Sequence, residues 1–306
     1  MHSYKAYSLN ILSEIEFPEL LESNEESNDI NIVIGTTPDA LKGDQVVKKV
    51  RYSATENEVL YKLKDAGKIY ITNGSTITVE PEANPDWQHL KNHIRGRAIA
   101  AILHQRGLSI LHGSAICHND EAIIFIGKSG GGKSTFLAAF IEKGYDFISD
   151  DLCLLKKQPN GTIKIAPAYP QIRLWTSSID LIGSSDNLTK GAELRSGLDK
   201  YFYVPDTKFN QQPVSVRSIY VLNASQVSDF SIEELDSVTK LNLLLQHSYA
   251  KGHREGLGGH AEQFKVYSKL LNTTKVKVVQ RPFDIDRNSF SRMINQVESD
   301  FLGSTE

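Results

Sequence analysis

The chain has 306 residues, of which 40% are hydrophobic and 23% are charged, and its formal net charge is −3. This composition is typical of a globular protein, and the slightly acidic balance excludes a strongly basic, nucleic-acid-binding surface. Two cysteines are too few for a disulfide framework, and no apolar run approaches the roughly 18 residues that would cross a bilayer. The first residues also lack the apolar segment of a signal peptide. We therefore expect a cytoplasmic protein with no membrane or nucleic-acid partner.

Residues 1–83 are predicted to form a small β-rich N-terminal domain. Strand-like runs lie at Tyr7–Leu12, Asp29–Ile34, Lys68–Thr72 and Ser75–Val79. The last two runs flank Asn73-Gly74, and Asn-Gly supplies the positive φ angles that a two-residue hairpin turn requires. A β-hairpin is therefore predicted at this point.

Residues 84–306 are predicted to form an α/β domain, in which helical and strand patterns alternate. A helix should run from Asn84 to Gly107, because apolar residues recur there at intervals of three and four. Another helix should run from Ser231 to about His247, because Ser231 and Glu234 match a capping box. The remaining predicted elements are strands at 108–117, 121–126, 145–149, 164–168, 217–223 and 275–280, and helices at 133–143, 261–271 and 287–301, with loops at 207–213 and 251–259.

A glycine-rich motif follows the strand at 121–126. Residues 127–134 read Gly-Lys-Ser-Gly-Gly-Gly-Lys-Ser and match G-x-x-x-x-G-K-[ST] in full. The backbone N–H groups of such a loop, together with the first turn of the helix after it, surround an anion. Lys133 should reach the β- and γ-phosphates of ATP, and the Ser134 hydroxyl should ligate Mg²⁺. The predicted phosphate-binding residues are Gly127, Ser129, Gly130, Gly131, Gly132, Lys133, Ser134 and Thr135.

Asp150 and Asp151 end the next predicted strand. A strand–loop–helix–strand unit this short returns the chain beside the phosphate loop, so both carboxylates can face the γ-phosphate. One carboxylate can hold the metal while the other accepts a proton from an attacking hydroxyl. We assign Asp150 to the metal and Asp151 to the hydroxyl, and the two roles could be exchanged. The alternative is an acidic turn that only terminates the strand.

Outside this motif, three residues are candidates for catalysis. His112, on the strand before the phosphate-loop strand, either forms a structural hydrogen bond or orients an aspartate or phosphate group. Arg173 forms either a surface salt bridge or a cationic clamp on the transferred phosphoryl group; Lys200 is a weaker candidate for the same clamp. Trp175 and the aromatic residues of 201–203 are expected to pack in the core, and the alternative is that they stack on adenine or on peptide. Four further residues, His247, His253, Arg254 and His260, match no common zinc site.

The order and spacing of these motifs resemble the bacterial HPr kinase/phosphorylase family, whose nucleotide-binding fold is shared with phosphoenolpyruvate carboxykinase. The family pattern of His-Gly, glycine-rich loop, basic residue-Gly and Asp-Asp reads here as His112-Gly113, residues 127–134, Lys143-Gly144 and Asp150-Asp151. The resemblance covers roughly residues 108–155. It implies an HPr kinase-like P-loop core that uses ATP and Mg²⁺.

Other residues indicate a divergent branch of that family. The family has Glu-Ile-Arg-Gly downstream, whereas this chain has Gln171-Ile172-Arg173-Leu174. The neutral Gln171 weakens the case for a second metal site and for reverse phosphorylase activity. The residues at 7–15 and at 172–175 are similar to HPr kinase-like enzymes of lasso-peptide biosynthesis. That similarity implies a peptide substrate whose C-terminal serine is phosphorylated. HPr kinases assemble as hexamers, so the resemblance to that family also makes a homo-oligomer an expectation.

The leading hypothesis is an ATP-dependent kinase that phosphorylates a serine hydroxyl of a peptide or protein. A kinase for a small metabolite remains open, because the glycine-rich loop reads only the nucleotide. A nucleotide-gated binding or scaffold protein with little transfer activity is the alternative from another class, and Gln171 is the reason to retain it. A transporter-type ATPase is excluded, because the chain has neither a Leu-Ser-Gly-Gly-Gln signature nor a later apolar strand ending in Asp-Glu.

Overall fold

The computed structural model describes residues 1–25, 27–43, 45–195, 197–249 and 260–303. Within these ranges the chain is a mixed α/β protein with three β-sheets. It divides into two compact units, Met1–Ile110 with Ser248–Lys265, and Leu111–His247 with Val266–Glu306. The predicted domain boundary between residues 83 and 84 falls inside the first of these units.

The first unit is built on a nine-stranded sheet with the order β3-β1-β2-β4-β9-β8-β7-β6-β5. Its strands are β1 (His2–Ala6), β2 (Leu9–Ser13), β3 (Leu21–Glu22), β4 (Ile30–Ile34), β5 (Val47–Lys48), β6 (Tyr52–Ala54), β7 (Glu58–Leu63), β8 (Gly67–Thr72) and β9 (Thr76–Pro81). The predicted hairpin turn between β8 and β9 is confirmed, since φ is 52° at Asn73 and 61° at Gly74.

The predicted strand at Tyr7–Leu12 is wrong at its start. Tyr7 and Ser8 have φ angles of 57° and 53°, and they form the turn between β1 and β2, which pair antiparallel. Positive φ at both central positions is the geometry of a tight hairpin turn. Neither turn residue is Asn or Gly, the residues that usually indicate such a turn. The strand prediction therefore included these two residues.

The predicted helix over 84–107 is confirmed, with an interruption. Helix α1 (Trp87–His93) continues through a π-helical turn (Ile94–Ala98) into α2 (Ile99–Gln105). Asp86 caps the N-terminus, since its side chain accepts a hydrogen bond of 2.9 Å from the His89 N–H. Gly107, with φ of 68°, follows the helix end, as glycine commonly does.

The second unit contains an eight-stranded sheet and a three-stranded sheet. The larger sheet comprises β10 (Ser109–His118), β11 (Glu121–Gly127), β12 (Asp146–Ser149), β13 (Leu152–Lys157), β14 (Ile163–Ala166), β18 (Val214–Ser225), β19 (Ser231–Glu234) and β20 (Lys275–Pro282). The smaller sheet comprises β15 (Ile172–Trp175), β16 (Leu188–Glu193) and β17 (Lys200–Pro205), in the order β15-β17-β16. Strand β18 lies between β11 and β20 and is parallel to both.

The second unit contains the helices α3 (Lys133–Glu142), α4 (Thr176–Ile182), α5 (Ser237–Gln246) and α7 (Arg287–Leu302) and, from Val266 onward, α6 (His260–Leu270). Strand β11 is buried on both sides: Phe125 packs with residues of α3 and α7, and Ile124 packs with residues of α5 and α6. The Phe125 and Phe140 rings stack with centroids 5.4 Å apart. This packing holds the start of α3 against the end of β11. No helix in the described ranges is long and apolar enough to span a membrane.

The predicted helix start at Ser231 is wrong. Ser231–Glu234 forms strand β19, which pairs antiparallel with β20, and pairing with the neighbouring strand outweighs the local capping pattern. The helix begins at Ser237 instead. Its N-cap is Asp236, whose side chain accepts hydrogen bonds from the N–H groups of Val238 and Thr239.

Replacing Asp236 with Ala is therefore expected to lower the melting temperature by about 2–4 °C, because two N–H groups of α5 lose their acceptor. Thermal unfolding followed by circular dichroism measures the change. Ser231→Ala is the matched control, and it should leave the melting temperature within about 1 °C. The reverse order of the two effects would show that the helix is capped at Ser231.

Candidate active site

A cavity of about 530 Å³ lies within the second unit. Strands β11 and β20 end at the same edge of the sheet, since Gly127 is opposite Leu222 on β18 and Ala224 of β18 is opposite Arg281. The glycine-rich loop leaves the sheet at this edge. Ligands of α/β proteins bind at the carboxyl ends of parallel strands, so the cavity has the expected place for a nucleotide site.

The glycine-rich loop has a backbone that glycine alone adopts easily. The φ angles are 77° at Gly130 and 97° at Gly132, both in the left-handed region. A Cβ atom on Gly131 would lie 2.9 Å from the Lys128 carbonyl oxygen, so a larger residue would fill the loop. The loop leads directly into α3, whose first N–H groups have no partner within the helix. This geometry fits a polyphosphate.

Lys133, the first residue of α3, folds over the loop. Its Nζ donates hydrogen bonds to the carbonyl oxygens of Gly127, at 3.1 Å, and Lys128, at 3.0 Å. Burial lowers the pKa of Lys133, although the charges of Asp151 and Asp150 oppose that shift. Among the predicted phosphate-binding residues, Ser129, Gly130, Gly132, Lys133, Ser134 and Thr135 line the cavity.

Asp150 is buried and accepts three hydrogen bonds. The hydroxyls of Ser134 and Ser114 each donate to Oδ1 at 2.8 Å, and the Arg173 backbone N–H donates to Oδ2 at 3.0 Å. Ser134 and Asp150 thus place two hard oxygen donors side by side, which suits Mg²⁺. No group of three or more His, Cys, Asp or Glu side chains in the described ranges could hold a metal. A Mg²⁺ ion bound here would take its remaining ligands from phosphate oxygens and water.

Asp151 has a different environment from its neighbour. Its φ angle of 79° marks a sharp bend between β12 and β13, and both consecutive carboxylates line the cavity. Oδ1 lies 3.2 Å from His112 Nδ1, and Oδ2 lies 2.5 Å from Arg173 Nη2. Burial alone would raise the pKa of Asp151, but the charge of Arg173 and the hydrogen bond with His112 hold it well below its usual range.

Replacing Arg173 with Met is expected to destabilise the protein by about 2–3 kcal/mol at pH 7, because the Asp151 carboxylate loses a hydrogen bond with its closest positive charge. A carboxyl group with a lowered pKa stabilises the fold above the pKa of the unfolded state, and that contribution is lost as the pH falls. The difference between wild type and variant should therefore shrink below about pH 4. Urea unfolding at pH 7 and pH 3.5 measures it, and an equal difference at both values would contradict the ion pair.

The smaller sheet carries further residues of the cavity. Arg173, Trp175 and Lys200 line it. The prediction that Trp175 packs in the core is wrong, because 41% of its surface is exposed, whereas Tyr203 is buried as predicted. Sheet pairing accounts for the difference, since the two residues lie on opposite faces of the β15–β17 pair.

Sequence reasoning missed two residues of this region. Ser114 hydrogen-bonds to Asp150, and its position two residues after His112 on the same strand was the available signal. Arg281 lies at the end of β20 and donates a hydrogen bond of 3.3 Å to the Gly131 carbonyl oxygen. The strand order places the end of β20 near the glycine-rich loop, and it would have identified Arg281 as a candidate. That order cannot be read from the sequence.

The four residues judged not to form a zinc site are only partly described. His253 and Arg254 lie outside the described residues, as does the side chain of His260. His247 lies near the phosphate loop, and its carbonyl oxygen accepts a hydrogen bond of 2.8 Å from the His112 N–H. Burial, followed by the charge of Lys133, lowers the pKa of His247 to about 4. Its imidazole is therefore neutral at pH 7 and adds no charge to the site.

No protein-family model and no curated protein matches this chain. Among solved structures it is similar to the HPr(Ser) kinase/phosphatase from Coxiella burnetii, at 15% sequence identity and a TM-score of 0.32. The match covers 63% of this chain and 90% of that one. A likeness this remote identifies neither the reaction nor the substrate.

Proposed function

We propose that this protein is an ATP-dependent kinase that transfers the γ-phosphoryl group to a serine hydroxyl of a peptide or protein. The observation that carries the proposal is the pair of adjacent carboxylates with separate partners. Asp150 is bonded to Ser134 of the phosphate loop, and Asp151 is bonded to His112 and Arg173. This arrangement supports a metal position at Asp150 and a hydroxyl position at Asp151, in the cavity that the glycine-rich loop also lines.

On the nucleotide side, the loop N–H groups and the Lys133 ammonium group would bind the β- and γ-phosphates. Lys133 would exchange its bonds with the Gly127 and Lys128 carbonyl oxygens for bonds with phosphate oxygens. Ser134 and Asp150 would hold Mg²⁺, which neutralises charge on the β- and γ-phosphates when it is bound. Ser114 and the Arg173 N–H keep the Asp150 carboxylate oriented toward Ser134.

On the acceptor side, Asp151 would accept a hydrogen bond from the attacking hydroxyl and align its oxygen with the γ-phosphorus. The new bond forms between that oxygen and phosphorus, the bond from phosphorus to the β–γ bridging oxygen breaks, and ADP leaves. The hydroxyl proton passes to Asp151, which later releases it to solvent. Arg173 lies 2.5 Å from Asp151 and can contact the equatorial oxygens of the phosphoryl group as charge develops on them.

The low pKa of Asp151 is compatible with this role. A carboxylate paired with Arg173 and His112 is deprotonated throughout the physiological range, so it always accepts a hydrogen bond. It is a weak base, but phosphoryl transfer passes through a loose transition state in which the acceptor hydroxyl keeps its proton until late. Positioning of the hydroxyl is then the larger part of what Asp151 contributes.

The sequence resemblance to lasso-peptide kinases extends the proposal to the C-terminal serine of a precursor peptide. The test is incubation of the protein with Mg²⁺, [γ-³²P]ATP and pools of serine, threonine and tyrosine peptides. We expect label on serine peptides, with phosphoserine identified by mass spectrometry. Label found only as free phosphate, or remaining on ATP, would support a nucleotide-gated binding protein instead, and label on a metabolite would support a small-molecule kinase.

A further inference from the structure

One face of the smaller sheet presents a cationic and aromatic surface to the cavity. In the β15–β17 pair, Arg173 is opposite Phe202 and Trp175 is opposite Lys200. Directly opposed residues of an antiparallel pair project on the same face, as do residues two apart on one strand. Arg173, Trp175 and Lys200 therefore share a face, and all three line the cavity. Ile172 and Leu174 lie on the opposite face, where they are buried in the core.

Lys200 differs from Arg173 and Lys133 in the partners of its charged group. Arg173 is paired with Asp151, and Lys133 is bonded to loop carbonyl oxygens. The Lys200 ammonium group lies 5.5 Å from the centroid of the Trp175 ring, and it forms no ion pair or hydrogen bond within the part of the chain that the structure describes. Burial and then the charge of Arg173 lower its pKa. Burial and the neighbouring Arg173 both disfavour the charged form of Lys200, so a bound anion would stabilise the ammonium group.

The position of Lys200 favours an anion on the acceptor. The phosphates would be surrounded by the loop N–H groups and Lys133. Arg281 is already hydrogen-bonded to the loop at the Gly131 carbonyl oxygen. Lys200 shares its face of the smaller sheet with Arg173, whose side chain is paired with Asp151. Lys200 thus belongs to the side of the cavity where Asp151 would hold the acceptor hydroxyl. The exposed Trp175 ring beside it offers an apolar wall for the acceptor chain.

We propose that Lys200 and Trp175 form an acceptor subsite in which the Lys200 ammonium group binds a carboxylate of the substrate close to the hydroxyl that is phosphorylated. This inference rests on the proposed kinase function and adds the chemistry that selects the acceptor. The carboxylate belongs either to an acidic side chain next to the serine or to the C-terminus of the peptide. Both sources present the same anion to the ammonium group.

The first experiment measures phosphorylation of four matched pools of serine peptides. The residues that flank serine are acidic or the corresponding amides, and the C-terminus is free or amidated. We expect the pools with a carboxylate near serine to have a KM about 10-fold lower, in the range of one charge-assisted hydrogen bond. If acidic flanking residues lower the KM when the C-terminus is amidated, the bound carboxylate is that of a side chain. If a free C-terminus lowers the KM when the flanking residues are amides, the bound carboxylate is that of the C-terminus.

The variant Lys200→Met should lose this preference, with the peptide KM changing more than kcat. The matched control is Lys190→Met. Lys190 belongs to the same sheet and lies over the Tyr201 ring, but it does not line the cavity. It should keep the preference. The subsite would be overturned if Lys200→Met kept the full preference for pools with a carboxylate near serine. It would also be overturned if the variant raised the KM for ATP and left the KM for peptide unchanged.

A binding measurement separates the subsite from the kinase function. The chain has two tryptophans, so Trp87→Phe leaves Trp175 as the source of tryptophan fluorescence. The same pools are titrated into this variant with Mg²⁺ and a non-hydrolysable ATP analogue. We expect pools with a carboxylate to change Trp175 emission at about 10-fold lower concentration, and Lys200→Met to remove the difference.

The outcomes of the two measurements are distinct. Carboxylate-dependent fluorescence without phosphorylation of any pool would overturn the kinase proposal and leave the subsite standing. Phosphorylation together with equal fluorescence responses, or with none, would overturn the subsite and leave the kinase proposal standing.

Discussion

Replacing Asp151 with Asn is expected to lower the rate of phosphoryl transfer by about 10²-fold, because the group that positions the acceptor hydroxyl and takes its proton is lost. The amide cannot take the hydroxyl proton, and its Nδ2 group would face either Arg173 Nη2 or His112 Nδ1, which now meet the two carboxylate oxygens. ATP binding should persist, because the phosphate loop and Asp150 are unchanged. Single-turnover assays with a serine peptide measure the transfer rate, and isothermal titration calorimetry measures ATP binding.

The matched control for Asp151→Asn is Asp146→Asn. Asp146 lies at the start of β12, pairs with Lys208 at 3.7 Å, and does not line the cavity. This variant should transfer phosphate at the wild-type rate. Full transfer activity in Asp151→Asn, with ATP binding intact, would show that Asp151 has no role in the reaction, and the kinase mechanism proposed above would have to be abandoned.

Replacing Asp150 with Asn is expected to remove most of the Mg²⁺ dependence of ATP binding. The carboxylate accepts from both serine hydroxyls through Oδ1 and from the Arg173 N–H through Oδ2. The Asn amide has one acceptor oxygen, so its NH₂ group would face a donor, and the negative charge that attracts the metal is lost. We expect ATP affinity in the presence of Mg²⁺ to fall about 10–100-fold, as for the loss of a residue that holds or orients a metal. Calorimetric titrations with and without Mg²⁺ measure the change.

A graded control separates the metal role of Asp150 from its structural role. Ser114→Ala removes one hydrogen bond to Asp150 and leaves the carboxylate charge in place. It should weaken Mg²⁺-dependent binding by less than about 10-fold, the effect of one neutral hydrogen bond. Equal effects of Ser114→Ala and Asp150→Asn would indicate that the network acts only on the fold. Unchanged Mg²⁺ dependence in Asp150→Asn would place the metal elsewhere.

Local patterns in the sequence were sufficient to predict several elements. The Asn73-Gly74 turn follows from residues that tolerate positive φ, and the long N-terminal helix follows from its apolar period. The predicted order of strand, glycine-rich loop and helix at 121–143 is also what the structure contains, as β11, the loop and α3. In each case the determining interactions lie within a few residues of one another.

Elements that depend on distant partners were predicted less well. Residues Ser231–Glu234 match a helix start and instead form a strand, because their partner is β20, whose residues lie far along the chain. The face of the smaller sheet that reaches the cavity was not predictable either. Trp175 was expected in the core, but register with β17 places it beside Lys200 on the exposed side.

By itself, the sequence identified the candidate residues for phosphate, metal and hydroxyl binding, because the glycine-rich loop and the adjacent aspartates indicate this chemistry by their identity and spacing. The tertiary structure decided which partner each aspartate has. Asp150 joins Ser134 and Ser114, and Asp151 joins Arg173 and His112. The physical reason is that ion pairs and hydrogen bonds depend on distances in space, and strand pairing between distant segments sets those distances.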